Sequence, residues 1–278
     1  MTNASDEQNL NQFANDYGEN DMIEASRSVL SIETATPVCS VALRLPDGSL
    51  YEKRAEGKGV HSERTFVFID ELLREHSLQV PDLGAVIISA GPGSYTGLRV
   101  AGSAAKGLLF ETGVALYACH TLGAFALGAR QSVVRDQNNV KPAGYGNGMM
   151  KASGDSDTGF MGCDAVMDAR RNHLYHQSWR FQGEGVEPES VVAVRELEEV
   201  LEIWKSGRLL VGTGVERLKQ LTGVTSGITG SLPMLDESDV ISAVPVLRAL
   251  DRIPLSQLDK LIKKVAPEHF EPYYYTGL

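Results

Sequence analysis

Apolar and polar positions along residues 28–131 group into short runs that predict alternating strands and helices. Val29-Leu30-Ser31-Ile32 opens as a strand, and Val38-Cys39-Ser40-Val41-Ala42-Leu43 follows it. A Pro46-Asp47-Gly48-Ser49 turn then leads into Leu50–Ala55, a hairpin with turn chemistry where it is needed. Between His61 and His76, Phe66, Ile69, Leu72 and Leu73 recur at helical spacing. Ala85–Ser89 has the length and branching of a buried strand, and Gly91-Pro92-Gly93 carries the chain into a helix reaching about Glu111. Val114–Cys119 predicts another strand and Leu122–Arg130 another helix. The order is βββαβαβα.

From residue 160 the pattern repeats. Cys163–Asp168, Leu174–Phe181 and Ser190–Val194 read as three strands, Arg195–Lys205 as a helix, Leu209–Val211 as a strand and Val215–Leu221 as a helix. Val240–Leu250 and Ser256–Val265 read as helical, ahead of Pro272-Tyr273-Tyr274-Tyr275. A duplicated βββαβ unit predicts an α/β protein of two ribonuclease-H-like domains with mixed sheets. The first spans residues 28–131 and the second 160–278, with the C-terminal segment placed to return to the first. Residues 1–27 and 132–159 lack a sustained apolar period and are read as a disordered acidic tail and a flexible linker or insertion.

Charge narrows the function. The net value is −10, and residues 1–27 hold six acidic side chains against Arg27 alone, a balance of −5. Such a chain makes a poor general nucleic-acid binder, because phosphate neutralisation needs clustered Lys and Arg. No apolar run approaches the ~20 residues that span a membrane, and the polar, acidic start is unlike an export signal. Cys39, Cys119 and Cys163 are scattered in apolar stretches, as reduced thiols in a cytoplasm are. No CxxC, HxxxH or HExxH spacing provides a metal site, and no GxSxG elbow provides a nucleophile. No catalytic residue and no metal ligand is expected.

Five motifs carry chemistry, most of them with two readings. Gly91-Pro92-Gly93-Ser94-Tyr95-Thr96-Gly97-Leu98-Arg99 is either a tight strand-to-helix turn or an anion site. Gly91 and Gly93 permit close approach, Ser94 or Thr96 caps the helix, and the free N–H groups there suit a phosphate. In the following helix Gly97, Ala101 and Ala105 recur every four residues and form a flat stripe. That stripe packs either against the chain's own elements or against a helix of another chain. Glu33-Thr34 at the end of the first strand either holds a metal-bound water near a phosphate or forms a local turn, and Asp168-Ala169-Arg170-Arg171 repeats that choice in the second half. Gly212 and Gly214, in Val211-Gly212-Thr213-Gly214, make a glycine turn able to border an adenosine.

Taken in order, Ile32–Thr36, Cys39–Leu43, Gly91–Arg99, Met167–Arg170, Val211–Gly214 and Glu271-Pro272-Tyr273 resemble the TsaB (YeaZ) family. The likeness covers about residues 28–130 and 160–276. It implies an actin/Hsp70/sugar-kinase-like fold and a noncatalytic scaffold that activates a TsaD-type enzyme. That enzyme forms N6-threonylcarbamoyladenosine at position 37 of ANN-decoding tRNAs. The implied partners are the TsaD-like subunit, a TsaE-like ATPase and a second copy of the chain, met through first-domain helices bearing Phe66, Ile69, Leu73, Gly97, Ala101 and Ala105. Contact with tRNA is implied only indirectly, through the complex. No cofactor of its own is implied, although ATP and Mg2+ have a place at a complex interface. TsaD-like relatives carry two metal-binding histidines where this chain has Thr121 and Phe125, and Glu33 stands where the family usually has Asp. An independent ATPase or phosphotransferase and a metallopeptidase remain the alternatives.

Overall fold

The computed structural model describes residues 26–57, 59–138, 160–204, 208–222 and 240–275, with Ile23. Most of the expected tail and residues 139–159 of the expected linker lie outside these. The chain divides into two compact units. The first runs to Thr121 and includes Ser242–Tyr275, whereas Leu122–Ile241 forms the second.

The first unit is built on a six-stranded mixed sheet. Strands β1 (Ser28–Glu33), β2 (Val38–Arg44) and β3 (Leu50–Glu56) form an antiparallel meander. β4 (Leu83–Gly91) runs parallel to β1, and β5 (Ala115–His120) runs parallel to β4. β1 and β2 are buried at every position, which requires cover on both faces. On one face, helices α1 (Val60–Glu75) and α2 (Tyr95–Leu109) share a core with Leu30, Ile32, Val41, Leu43, Val86 and Ile88. On the other face Ser40 Oγ accepts the Ala243 N–H at 2.9 Å, and Arg44 pairs with Asp251.

The C-terminal segment differs from its expected form. Ser256–Val265 is not one helix: a short turn of helix at Leu255–Leu258 precedes a strand, Ile262–Val265, antiparallel to β5. Four residues with two central lysines show no usable period, and pairing with a strand far away in sequence decides their conformation. In the third predicted helix, α3 (Thr121–Asn138), the chain continues past Arg130 into the expected linker. From Leu122 onward this helix belongs to the second unit, not the first.

In the second unit β6 (Gly162–Asp168) pairs antiparallel with β7 (His173–Gln182). The expected third strand at Ser190–Val194 is instead two: β8 (Gly185–Pro188) and β9 (Ala193–Glu196) pair with opposite ends of β7. β10 (Arg208–Val211) lies parallel to β6, and helices α4 (Leu197–Ile203) and α5 (Val215–Thr222) cover Val166, Leu174 and Leu210. A buried polar network crosses this sheet. Asp164 accepts from Ser178 Oγ at 2.6 Å, His176 Nε2 at 3.3 Å and Arg208 Nε at 3.2 Å, while Arg208 also bonds the Cys163 and Trp179 carbonyls. Burial alone would raise the Asp164 carboxyl, but these hydrogen bonds and the Arg208 charge hold it below its ordinary value.

Candidate functional site

The parallel strands β1, β4 and β5 end together, the place where open α/β sheets commonly bind ligands. Glu33, the last residue of β1, is only 5% exposed. Its Oε1 accepts the Ala35 N–H at 2.7 Å. Burial dominates those bonds and pushes its pKa up from 4.5 to about 7. At the end of β5, burial lowers His120 to about 4 and raises the Cys119 thiol. In all three groups burial disfavours the charged form. A site for Mg2+ and phosphate needs an ionised carboxylate, and this interior opposes one.

The glycine loop is closed by the chain's own backbone. A Cβ on Gly97 would lie 1.9 Å from the Thr34 carbonyl oxygen, one on Gly93 2.5 Å from the Ala35 Cβ, and one on Gly91 2.5 Å from the Tyr273 carbonyl oxygen. The Ser94 N–H donates to the Ala35 carbonyl at 2.7 Å, Thr34 Oγ1 donates to the Gly97 carbonyl at 2.8 Å, and the Tyr273 N–H donates to the Ala90 carbonyl at 2.7 Å. Ser94 caps α2 through an N–H bond from Gly97 at 3.2 Å, and Thr96 is exposed. The loop after β1, the glycine turn and the C-terminal segment are thus laced together. The places that Cβ atoms would take at Gly91, Gly93 and Gly97 are filled by the chain's own backbone and side chains, so packing within this unit already requires these glycines.

Gly212 and Gly214 belong to the second unit and behave alike. A Cβ on Gly212 would meet the Val166 carbonyl at 2.2 Å and the Phe125 ring at 2.8 Å, and one on Gly214 would meet Leu174 at 2.8 Å. Phe125 is core, and Thr121 Oγ1 is buried without a hydrogen-bond partner among the described residues. Among those residues no group of three or more His, Cys, Asp or Glu is arranged to hold a metal. All three thiols are buried, with pKa values raised by burial, and none has the thiolate character of a nucleophile.

Most of the expected interface residues turn inward. Ile69, Leu73, Ala101 and Ala105 belong to the first unit's own core, and Gly97 is buried. The stripe is flat because the chain's own elements approach it: Gly102 beside it would meet the Phe270 ring at 2.9 Å. The buried face of α1 is Thr65, Phe68, Ile69, Leu72 and Leu73, one residue around from the face drawn through Phe66. Phe66 therefore points outward at 53% exposure, beside Val67. On α2, Tyr95 and Arg99 are exposed, with the Arg99 guanidinium 4.1 Å from the Tyr95 ring centroid. Phe110, just past the helix, is 73% exposed. Val67 and Phe110 gave no advance signal, because an isolated apolar residue fits a core as well as a surface.

The two mixed sheets with their helices define an actin-like, ribonuclease-H-like α/β protein. A family model described as "TsaD: tRNA N6-adenosine threonylcarbamoyltransferase" matches residues 56–140. The tRNA threonylcarbamoyladenosine biosynthesis protein TsaB of Escherichia coli K12 is 27% identical over 251 residues, 88% of this chain and 93% of that protein. TsaB of Haemophilus influenzae is 33% identical over 102 residues, 37% of this chain and 43% of that protein. The solved structure of YeaZ from Pseudomonas aeruginosa covers 89% of this chain and 99% of its own, with a TM-score of 0.63 at 23% identity. Over most of its length the chain is similar to TsaB/YeaZ proteins.

Proposed function

We propose that this chain is a noncatalytic scaffold and activator of a TsaD-type enzyme in tRNA threonylcarbamoyladenosine biosynthesis, acting at position 37 of ANN-decoding tRNAs. The observation that carries the reading is the glycine turn packed against the chain's own backbone, with the Thr34 carbonyl filling the place a side chain would take beside Gly97. The same closure, with the Glu33 carboxylate disfavoured by burial, weighs against an independent ATPase or phosphotransferase. Thr121 and Phe125 at the family's metal positions weigh against a metallopeptidase. ATP with Mg2+, and a TsaE-like ATPase, belong in this reading to the assembled complex.

Docking is assigned to the outward sides of α1 and α2, where Phe66, Val67 and Tyr95 stand exposed among charged residues. Aromatic anchors with a polar rim are the usual makeup of an interface. A second copy would compete for the same side. The test is sedimentation of the purified chain with the TsaD-type enzyme of its own organism, followed by a tRNA modification assay with and without the chain. The expected result is a heterodimer, faster modification, and no modification by the chain alone. Turnover by the chain alone, or no pairing, would overturn the reading.

A further inference from the structure

The hairpin joining β6 to β7 carries Asp168-Ala169-Arg170-Arg171, and two consecutive arginines there adopt a costly backbone. Arg170 and Arg171 sit at φ 73° and 50°, the left-handed region that Gly and Asn enter at least cost. Both are exposed, and among the described residues neither guanidinium has a hydrogen-bond or ion-pair partner. The tip is braced from behind. Asp168 Oδ1 accepts the Arg170 N–H at 2.9 Å and a bond from Arg217, Arg217 also donates to the Arg171 carbonyl, and the Asp168 N–H donates to Thr213 Oγ1 at 3.3 Å. Arg217 thereby answers the Asp168 charge and leaves the two tip charges unneutralised on a chain of net charge −10.

A hairpin has no folding reason to keep arginine at these positions, since Gly would relieve the backbone and lose no packing. Strain held by a surrounding brace points toward function. Two guanidinium forks on a rigid tip match the oxygens of phosphate. On an acidic chain such a contact sets position rather than supplying general affinity. We infer that the Arg170–Arg171 tip contacts the phosphodiester backbone of tRNA bound to the complex. The inference rests on the proposed function, because the tRNA pathway of the relatives favours RNA phosphate over an acidic protein surface. It also gives the chain a direct contact where the family resemblance implies only an indirect one.

The test uses the full chain with its TsaD-type partner and an unmodified tRNA transcript, titrated across a range of salt. The variant R170N/R171G suits the backbone and removes both charges, and R170K/R171K keeps the charges. R170N/R171G is expected to raise the chain's own melting temperature and leave pairing intact. Its affinity for tRNA should fall about five- to tenfold per lost contact near 0.1 M salt, with the log–log salt slope reduced by about one for each. R170K/R171K should retain most of the slope. An unchanged slope with intact pairing would overturn the inference. So would loss of pairing without loss of tRNA affinity, which would assign the tip to an acidic protein surface, or competition by ATP at equal phosphate, which would assign it to a nucleotide. If the wild-type chain does not pair at all, the scaffold reading falls separately. The tip is then judged on the chain alone at low salt, where failure to bind tRNA would overturn it.

Discussion

Replacing Glu33 with Gln isolates the energetic cost of the carboxyl at the end of β1. Burial raises its pKa from 4.5 to about 7, so between those values the folded chain holds a proton that the unfolded chain has released. Stability therefore falls as pH rises through this window: it is fully present below about pH 4.5 and lost by the time pH passes 7. At 1.36 kcal/mol per unit, the loss is roughly 3 kcal/mol. Gln keeps an oxygen to accept the Ala35 N–H and cannot ionise. E33Q should match the wild type near pH 4 and exceed it near pH 8 by roughly 3 kcal/mol, or about 6–12 °C in melting temperature. The difference between the two profiles is the reading, since it cancels other groups such as Asp164. Thermal unfolding of both proteins across that range is the assay. Parallel profiles, or a variant less stable near pH 8, would show that the wild-type carboxyl is ionised and well solvated there.

Three further outcomes follow from the packing. G97A should cost about 1–3 kcal/mol or more in urea unfolding, because its Cβ would fall 1.9 Å from the Thr34 carbonyl oxygen. A101W should lower the melting temperature of the chain alone, because Ala101 is core; unchanged stability with lost pairing would return the stripe to an interface. R208A should cost about 3–5 kcal/mol by leaving Asp164 buried without its cation, measured by chemical denaturation.

The strands and helices of the first unit were legible because their signals are local. Val29–Ile32, Val38–Leu43 and Ala85–Ser89 are each apolar at all but one position, a serine, as strands covered on both faces tend to be. Ile262–Val265 was not legible, because its strand state is conferred by Leu116–Cys119 and four residues hold no period of their own. The α1 face was misplaced by one residue for a related reason. Thr65 belongs to the core, held there by a bond to the His61 carbonyl at 2.7 Å, and a polar residue does not mark an apolar face.

The glycine motif shows where reading a site from sequence stops. Gly91, Gly93 and Gly97 announce that something comes within a side chain's radius of the backbone, and that much was readable. A phosphate and a peptide carbonyl make the same demand on the glycine. What separates them is the neighbour, here Thr34, Ala35 and Tyr273, one of which is more than 170 residues away in sequence. The small-residue helix has the same ambiguity: Gly102 makes room, and Phe270 fills it from within the chain. Glycine and alanine record a close approach without naming the partner. Exposed aromatic residues such as Phe66 do the reverse, since about half of the residue is left uncovered by its own chain. The inward-facing stripe and the outward-facing Phe66 therefore belong to separate functions of the same helix pair, the first holding the unit together and the second available to another protein.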